Sequence, residues 1–340
     1  MMYQKMDATS ARKSLPSLSI LQQTHELIRP YIRTTPLLNS EALSNLVGGK
    51  VIIKPESLQV TGAFKFRGAL FRLMSLSEAE KKQGVAAYSS GNFARGLATA
   101  GRLLRVRVHL VMPADAPRNK IDNARKEGAE VLLCRDSCPS REEAAAAMAA
   151  QFAKDHNHVL LHPFDDPLII LGQSSVAVEL LGQLKANGLS CDNLLCPVGG
   201  GSLIAGSSLV FTHGNESPQL YAIEPEGYAG MLESIAAGRI CRAPGHPPSK
   251  CDALQARSPG QANFDIVSQT SVMGIQVAER YIQKAVRMAF EEQKLVLEPS
   301  GAIGLAALLQ YPDKFRGMNT AVIATGGNID REFFARLLVD

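Results

Sequence analysis

The chain has no tryptophan, and aromatic residues of all kinds make up only 6% of it. Lysine and arginine are scattered, and the formal charge of +4 arises without a long basic run. A nucleic-acid groove, which needs clustered cations interleaved with stacking rings, is therefore not indicated, and neither is a basic membrane-surface helix. The six cysteines are dispersed. The nearest pair, Cys134 and Cys138, lies in a polar stretch without the histidines or cysteines that would complete a metal site, so reduced thiols and no metal are expected. Residues 1–16 lack the apolar core of a signal peptide, and no later apolar run is expected to reach membrane-spanning length. These absences leave a cytoplasmic protein whose partners are small molecules. What is plentiful is hydrophobic side chain, 46% of 340 residues, enough for a large core and a prior for two domains.

Along the chain, Ser19 is placed to cap a helix from Ile20 to Ile32, followed by a short helix from Ser40 to Leu46 and a strand at Val51-Ile52-Ile53-Lys54. A helix from Lys65 to Met74 comes next, then a solvated link over 78–82. From Val85 to Leu161 short β-like runs alternate with amphipathic helices, and a second such series runs from Gly172 to the C-terminus. Repeated βα units of this kind predict an α/β fold of mostly parallel sheet with helices on both faces. Residues 238–265 show no clear periodicity and read as a long connection, which in a compact domain is usually functional or mobile.

The chemistry concentrates in loops that follow strands. Gly62-Ala63-Phe64-Lys65-Phe66-Arg67-Gly68-Ala69 sets one lysine in apolar surroundings, where burial favours the neutral, nucleophilic amine. Cys196-Pro197-Val198-Gly199-Gly200-Gly201-Ser202-Leu203 joins an apolar strand to a helix through three glycines. Such a turn lets backbone N–H groups converge on a phosphate at a helix N-terminus. The spacing matches neither the dinucleotide nor the nucleoside-triphosphate loop, so a phosphate monoester suits it best. Ser89-Ser90-Gly91-Asn92 is a second anion-ready helix start, suited to a carboxylate. Thr325-Gly326-Gly327-Asn328 is a third such loop and presents a neutral hydroxyl that can meet a ring nitrogen. An amine, a phosphate cup, a carboxylate clamp and a ring partner are together what pyridoxal phosphate requires.

With Glu224-Pro225 and Glu298-Pro299-Ser300-Gly301-Ala302, these motifs occur in the order found in fold-type II pyridoxal-phosphate enzymes, and the chain resembles that family over nearly its whole length. Lys65-Phe66-Arg67-Gly68 and His162-Pro163-Phe164-Asp165-Asp166-Pro167 make it most similar to the serine/threonine dehydratases (ammonia-lyases) and serine racemase. The resemblance implies the tryptophan synthase β-like fold, with two open, twisted, mostly parallel sheets. It also implies a large domain from 1–83 and 159–340 and a small, mobile domain at 84–158 that closes over substrate. It implies pyridoxal 5′-phosphate held by Lys65 as Schiff-base lysine and proton acceptor, packed by Phe64. Asn92 would meet the ring oxygen, Gly199, Gly200, Gly201, Ser202 and Leu203 the phosphate, and Thr325 the ring nitrogen. Ser89, Ser90, Gly91 and Asn92 would hold the substrate carboxylate, with Ser90 as a second acid/base. The implied reaction is elimination of the hydroxyl from L-serine or L-threonine to give a 2-keto acid and ammonia, in a homodimer. Serine racemisation, 3-hydroxyaspartate dehydration and β-replacement are the alternatives the same family offers. Several positions depart from the pattern: Ser202 replaces a fourth glycine, Thr325 a serine or cysteine, and Phe93 a histidine. Gly230 stands where the racemase branch has a cation-binding aspartate six residues after Glu224. Arg95 and Arg141 are candidates for a second substrate carboxylate.

Overall fold

A computed structural model describes residues 15–116, 118–136, 140–213 and 217–339. Its strands are β1 (Leu38–Asn39), β2 (Val51–Pro55), β3 (Val85–Tyr88), β4 (Val108–Pro113), β5 (Glu130–Cys134), β6 (Val159–Leu161), β7 (Asn193–Pro197), β8 (Gln219–Pro225), β9 (Val272–Val277) and β10 (Thr320–Ala324). They form a six-stranded sheet in the order β1-β2-β10-β7-β8-β9 and a four-stranded sheet in the order β5-β4-β3-β6. Among these strand pairs only β1–β2 is antiparallel. Every residue of β2, β7 and β10 is buried, as expected of parallel strands covered by helices on both faces. The expected α/β architecture of two mostly parallel sheets is therefore observed. The second sheet takes in β6, whose Val159, Leu160 and Leu161 pair with β3, so it runs three residues past the boundary expected at 158.

Several local expectations are corrected. The first helix is Leu18–Ile28 with Ser17, not Ser19, at its N-cap, and a 3₁₀ turn, Arg29–Tyr31, tightens at Pro30. Residues 78–82 are not a link. Glu78–Gln83 is a helix begun by a capping box in which Ser77 and Glu80 exchange side-chain and backbone hydrogen bonds. The stretch 238–265 holds a 3₁₀ turn, Asp252–Leu254, and the start of the helix Gln261–Val267. The helix Pro167–Ala186 is, by length and composition, capable of crossing a membrane, contrary to the expectation. Its apolar stretch is 67% buried inside this fold, because it is the helix on which the lysine-bearing helix Lys65–Met74 rests. The two cross at Gly68 and Gly172, so tightly that a Cβ on Gly172 would lie 2.6 Å from Gly68 Cα. Of the pair Cys134 and Cys138, the second lies outside the described residues; Cys134 is a free, buried thiol.

Beneath that crossing lies a closed set of four buried charges. Arg67 grips Glu56 with two bonds, Nε to Oε2 at 2.7 Å and Nη2 to Oε1 at 2.8 Å, and donates from Nη1 to Glu179 Oε2 at 3.2 Å. Lys54 donates to Glu179 Oε1, to the Thr35 carbonyl at 2.8 Å and to Gln183 Oε1 at 2.7 Å. Burial alone would raise the Glu179 pKa, but the charges of Arg67 and Lys54 outweigh it and hold the carboxyl below its ordinary value. The helix that carries Lys65 is thus fixed to β2 and to the helix Pro167–Ala186 by bonds whose charges cancel.

Candidate active site

Lys65 is the first residue of its helix and follows the loop joined to β10 by the Ala63–Gly326 bridge and by Phe64 N–H donating to the Thr325 carbonyl at 3.1 Å. Its amine donates to the Pro163 carbonyl at 3.1 Å and lies 5.2 Å and 5.9 Å from the ring centres of Phe64 and Phe164. Burial among these groups lowers its pKa to about 8. The residue is nevertheless only half-buried as a whole, so the amine is desolvated yet reachable.

The glycine loop after β7 is shaped as a cradle. Gly201 has φ +100, a conformation open to glycine, and a Cβ on Gly200 would sit 2.1 Å from the Phe164 ring. Gly201 caps the helix Ser202–Phe211 without a side-chain bond, and the N–H groups of Gly199, Gly200, Gly201, Ser202 and Leu203 have no acceptor among the described residues. A group of phosphate chemistry fits these converging donors at a positive helix end. Two features that were invisible in the sequence brace the loop. Asn263 donates from Nδ2 to the Gly200 carbonyl at 2.8 Å and to the Phe164 carbonyl at 3.2 Å. The Asp165 carboxylate accepts the N–H groups of Gln261 at 3.0 Å and Ala262 at 2.8 Å.

The Ser89–Asn92 loop follows β3 and opens the helix Asn92–Leu104 with Gly91 as an N-cap that makes no side-chain bond. Ser89 Oγ accepts the Gly91 N–H at 3.3 Å, and Ser90 has no protein partner among the described residues. A chain of side chains ties this loop to the one after β10. Arg95 Nη1 donates to Asn328 Oδ1 at 2.7 Å, Asn328 Nδ2 donates to Asn92 Oδ1 at 2.7 Å, and Asn92 Nδ2 donates to Glu298 Oε1 at 2.6 Å. Asn92 therefore has one remaining Nδ2 hydrogen for a ring oxygen. Burial, with the Asp252 carboxylate adding to it, raises Glu298 to about 8. Thr325 is buried, and its hydroxyl donates to the Ser300 carbonyl at 3.4 Å, a weak bond that leaves it available to another partner.

Arg95 is engaged by Asn328, and Arg141 is an exposed partner of Asp115 at 3.0 Å. Arg141 is thus held at the surface, whereas Arg95 keeps a buried Nε without a partner among the described residues. Both oxygens of buried Glu224 accept N–H groups of the next helix, Met231 at 2.9 Å and Leu232 at 2.9 Å, and burial raises its pKa to about 8. Phe93 is buried in the core. Lys120, on the helix Arg118–Lys126 beside the four-stranded sheet, reaches Asp252 Oδ2 at 2.6 Å across to the turn that backs Gly199.

Residues 28–326 match the family described as pyridoxal-phosphate dependent enzyme. The chain is 35% identical to a serine racemase of Arabidopsis thaliana, over 96% of this chain and 96% of the racemase. It is also 35% identical to an L-threo-3-hydroxyaspartate ammonia-lyase of Pseudomonas sp, over 92% and 95% of the two chains. Among solved structures, a threonine deaminase of T.th. superposes with a TM-score of 0.86 at 37% identity, covering 93% of this chain and 99% of that one.

Proposed function

Because the chain belongs to the pyridoxal-phosphate dependent enzyme family, with that cofactor and a lyase activity, we propose that it eliminates the β-hydroxyl of L-serine or L-threonine, releasing a 2-keto acid and ammonia. The observation that carries this reading is Lys65, an amine brought to a pKa of about 8 by burial alone and positioned by the Pro163 carbonyl. The cofactor supplies an aldehyde that captures the substrate amine and withdraws electrons from Cα. Gly199, Gly200, Gly201, Ser202 and Leu203 hold its phosphate, Phe64 packs against it, Asn92 meets its ring oxygen and Thr325 its ring nitrogen. Ser89, Ser90, Gly91 and Asn92 hold the substrate carboxylate, and Lys65 takes the proton from Cα. A hydroxyl at Thr325, unlike a carboxylate, does not hold the ring nitrogen protonated. Negative charge at Cα is then spread less widely, and loss of a β-substituent competes well.

Ser90 favours a second reading. Its unpaired hydroxyl on the carboxylate loop can return a proton to the face of Cα opposite Lys65, which is racemisation. The four-stranded sheet and its helices act as a unit that closes over the substrate and excludes water. A cytoplasmic homodimer is the expected form. Incubating the holoenzyme with L-serine, D-serine, L-threonine and 3-hydroxyaspartate tests the reading. Keto acid from L-serine or L-threonine supports it, and D-serine formed from L-serine without keto acid overturns it.

A further inference from the structure

One pair of side chains beside Lys65 has no part in the scheme above. His162, directly after β6, and Tyr88, the last residue of β3, meet through a hydrogen bond between Tyr88 Oη and His162 Nε2 at 2.9 Å. The pair stands at the carboxyl ends of two adjacent parallel strands, the side on which open α/β sheets bind ligands. Tyr88 runs straight into the Ser89–Asn92 loop, while His162 precedes Pro163, whose carbonyl takes the Lys65 amine. The Phe164 ring closes the gap: it packs edge-on to His162 at 4.5 Å between centroids and also borders the Lys65 amine. Tyr88 is half-buried, unlike the buried residues before it on β3, and so reachable from the cleft.

The protons in this pair can be assigned. His162 Nδ1 faces two backbone N–H groups, Asp165 at 2.8 Å and Phe164 at 3.3 Å, and therefore must present its lone pair. The ring proton then sits on Nε2 and is donated to Tyr88 Oη. A second ring proton would point at two donors, and burial further lowers the His162 pKa, with Lys65 pushing the same way against Asp165 and Asp166. With its oxygen accepting from His162, the phenol must turn its own hydrogen elsewhere. Burial and the Asp165 carboxylate raise its pKa to about 12, so that hydrogen stays in place at neutral pH.

We propose that Tyr88, oriented by His162, is the hydrogen-bond donor and acid for the departing β-hydroxyl of the substrate. This rests on the elimination reading. The Cα–H bond breaks with its proton going to the Lys65 amine and its electron pair forming the Cα–Cβ double bond. The Cβ–O bond breaks with its pair going to oxygen, which takes the Tyr88 proton and leaves as water. The phenolate is held by the His162 Nε2–H until the Lys65 ammonium returns the proton, so nothing is oxidised and both side chains are regenerated.

The test compares two leaving groups in wild-type and Tyr88→Phe holoenzyme. A hydroxyl must be protonated to leave and chloride need not be. With L-serine, kcat/KM is expected to fall on the order of 10²-fold, the lower range for a positioned acid, while with β-chloro-L-alanine it changes by less than about threefold. An equal fall for both substrates, or no fall for either, overturns the proposal. If the wild-type enzyme makes keto acid from neither substrate, it is the elimination reading itself that fails. An independent measurement uses the wild-type holoenzyme labelled with ¹⁵N-histidine. His162 should carry its proton on Nε2 and remain neutral below the pH at which free imidazole titrates. A proton on Nδ1, or an ordinary titration, overturns the orientation on which the proposal depends.

Discussion

Glu179→Gln removes one negative charge from the buried set that anchors the Lys65 helix. In the wild type Glu179 accepts from Lys54, from the Thr35 N–H at 2.9 Å and from Arg67 at 3.2 Å. The side chains of Lys54, Arg67 and Glu56 are 0% exposed and that of Glu179 is 4% exposed. Two cations and two carboxylates balance; after the substitution a net positive charge remains where water cannot reach it. Breaking a buried pair on one side costs about 3–5 kcal/mol, because the partner is left uncompensated. The same change at Glu26, whose bond to Arg29 is 62% exposed on each side, should cost no more than ~1 kcal/mol. Urea unfolding followed by circular dichroism reads both as a shift in midpoint at unchanged slope. A paired replacement, Lys54→Met with Glu179→Leu, removes opposite charges together and leaves the Arg67–Glu56 fork intact. Its cost should be less than the sum of the two single changes. The reasoning is refuted if Glu179→Gln falls within ~1 kcal/mol of wild type.

Three further outcomes follow from the site. The rate at which the apoprotein captures pyridoxal phosphate should rise with pH through about 8, because the neutral amine reacts and burial has lowered its pKa; stopped-flow absorbance checks this, and a midpoint near that of free lysine contradicts it. Gly200→Ala should lose the cofactor on dialysis, since its Cβ would lie 2.1 Å from the Phe164 ring, and retention of the visible absorbance near ~420 nm would contradict it. Glu298→Gln keeps a hydrogen-bond acceptor for Asn92 while removing a carboxyl whose folded pKa is raised to about 8. The wild type binds an extra proton when folded between the ordinary carboxyl range and pH 8, so its stability declines with rising pH across that window. The variant, measured by thermal melts, should therefore gain on the wild type from pH 5 to pH 8.

How legible these features were in the sequence depends on how local their causes are. The glycine turn at a helix start could be read because its glycines and the first helical residues occupy consecutive positions, Gly199 to Leu203. Lys65 could be read because its apolar and glycine neighbours lie within a few residues of it in the chain. Ser77 and Glu80, by contrast, carried a standard capping signature, yet the charged run Glu78–Lys82 between strong elements obscured it. Tyr88 and His162 are 74 residues apart, and Asn92 and Glu298 are 206 apart. Nothing in composition or periodicity couples residues at such separations; the parallel order of β3 beside β6 brings the first pair together, and the meeting of the Ser89–Asn92 loop with the loop after β10, whose Gly326 carbonyl accepts the Glu298 N–H at 3.1 Å, brings the second. The stretch 238–265 misled for the same reason. Its short elements are held by Asp165 and by Ser300, whose Oγ accepts the Ala253 N–H at 3.1 Å, and not by any pattern of their own.

The charge states around the lysine bear on which reaction the fold supports. Lys65 is held toward its neutral form, His162 is neutral with its proton on Nε2, and Tyr88 keeps its phenol hydrogen. Burial and the Asp252 carboxylate raise Glu298 to about 8, and Thr325 is a hydroxyl. Thr325, the residue proposed to meet the ring nitrogen, is a neutral hydroxyl and would not hold that nitrogen protonated. Electron density released at Cα then has two exits, a returning proton or a departing β-group. The acid role proposed for Tyr88 would open the second, and the proton return proposed for Ser90 the first. On the two proposals, the balance between elimination and racemisation would rest on Tyr88, the last residue of β3, and Ser90, two residues further on in the loop that follows. Tyr88→Phe should move product from keto acid toward inverted amino acid, and Ser90→Ala should move it the other way.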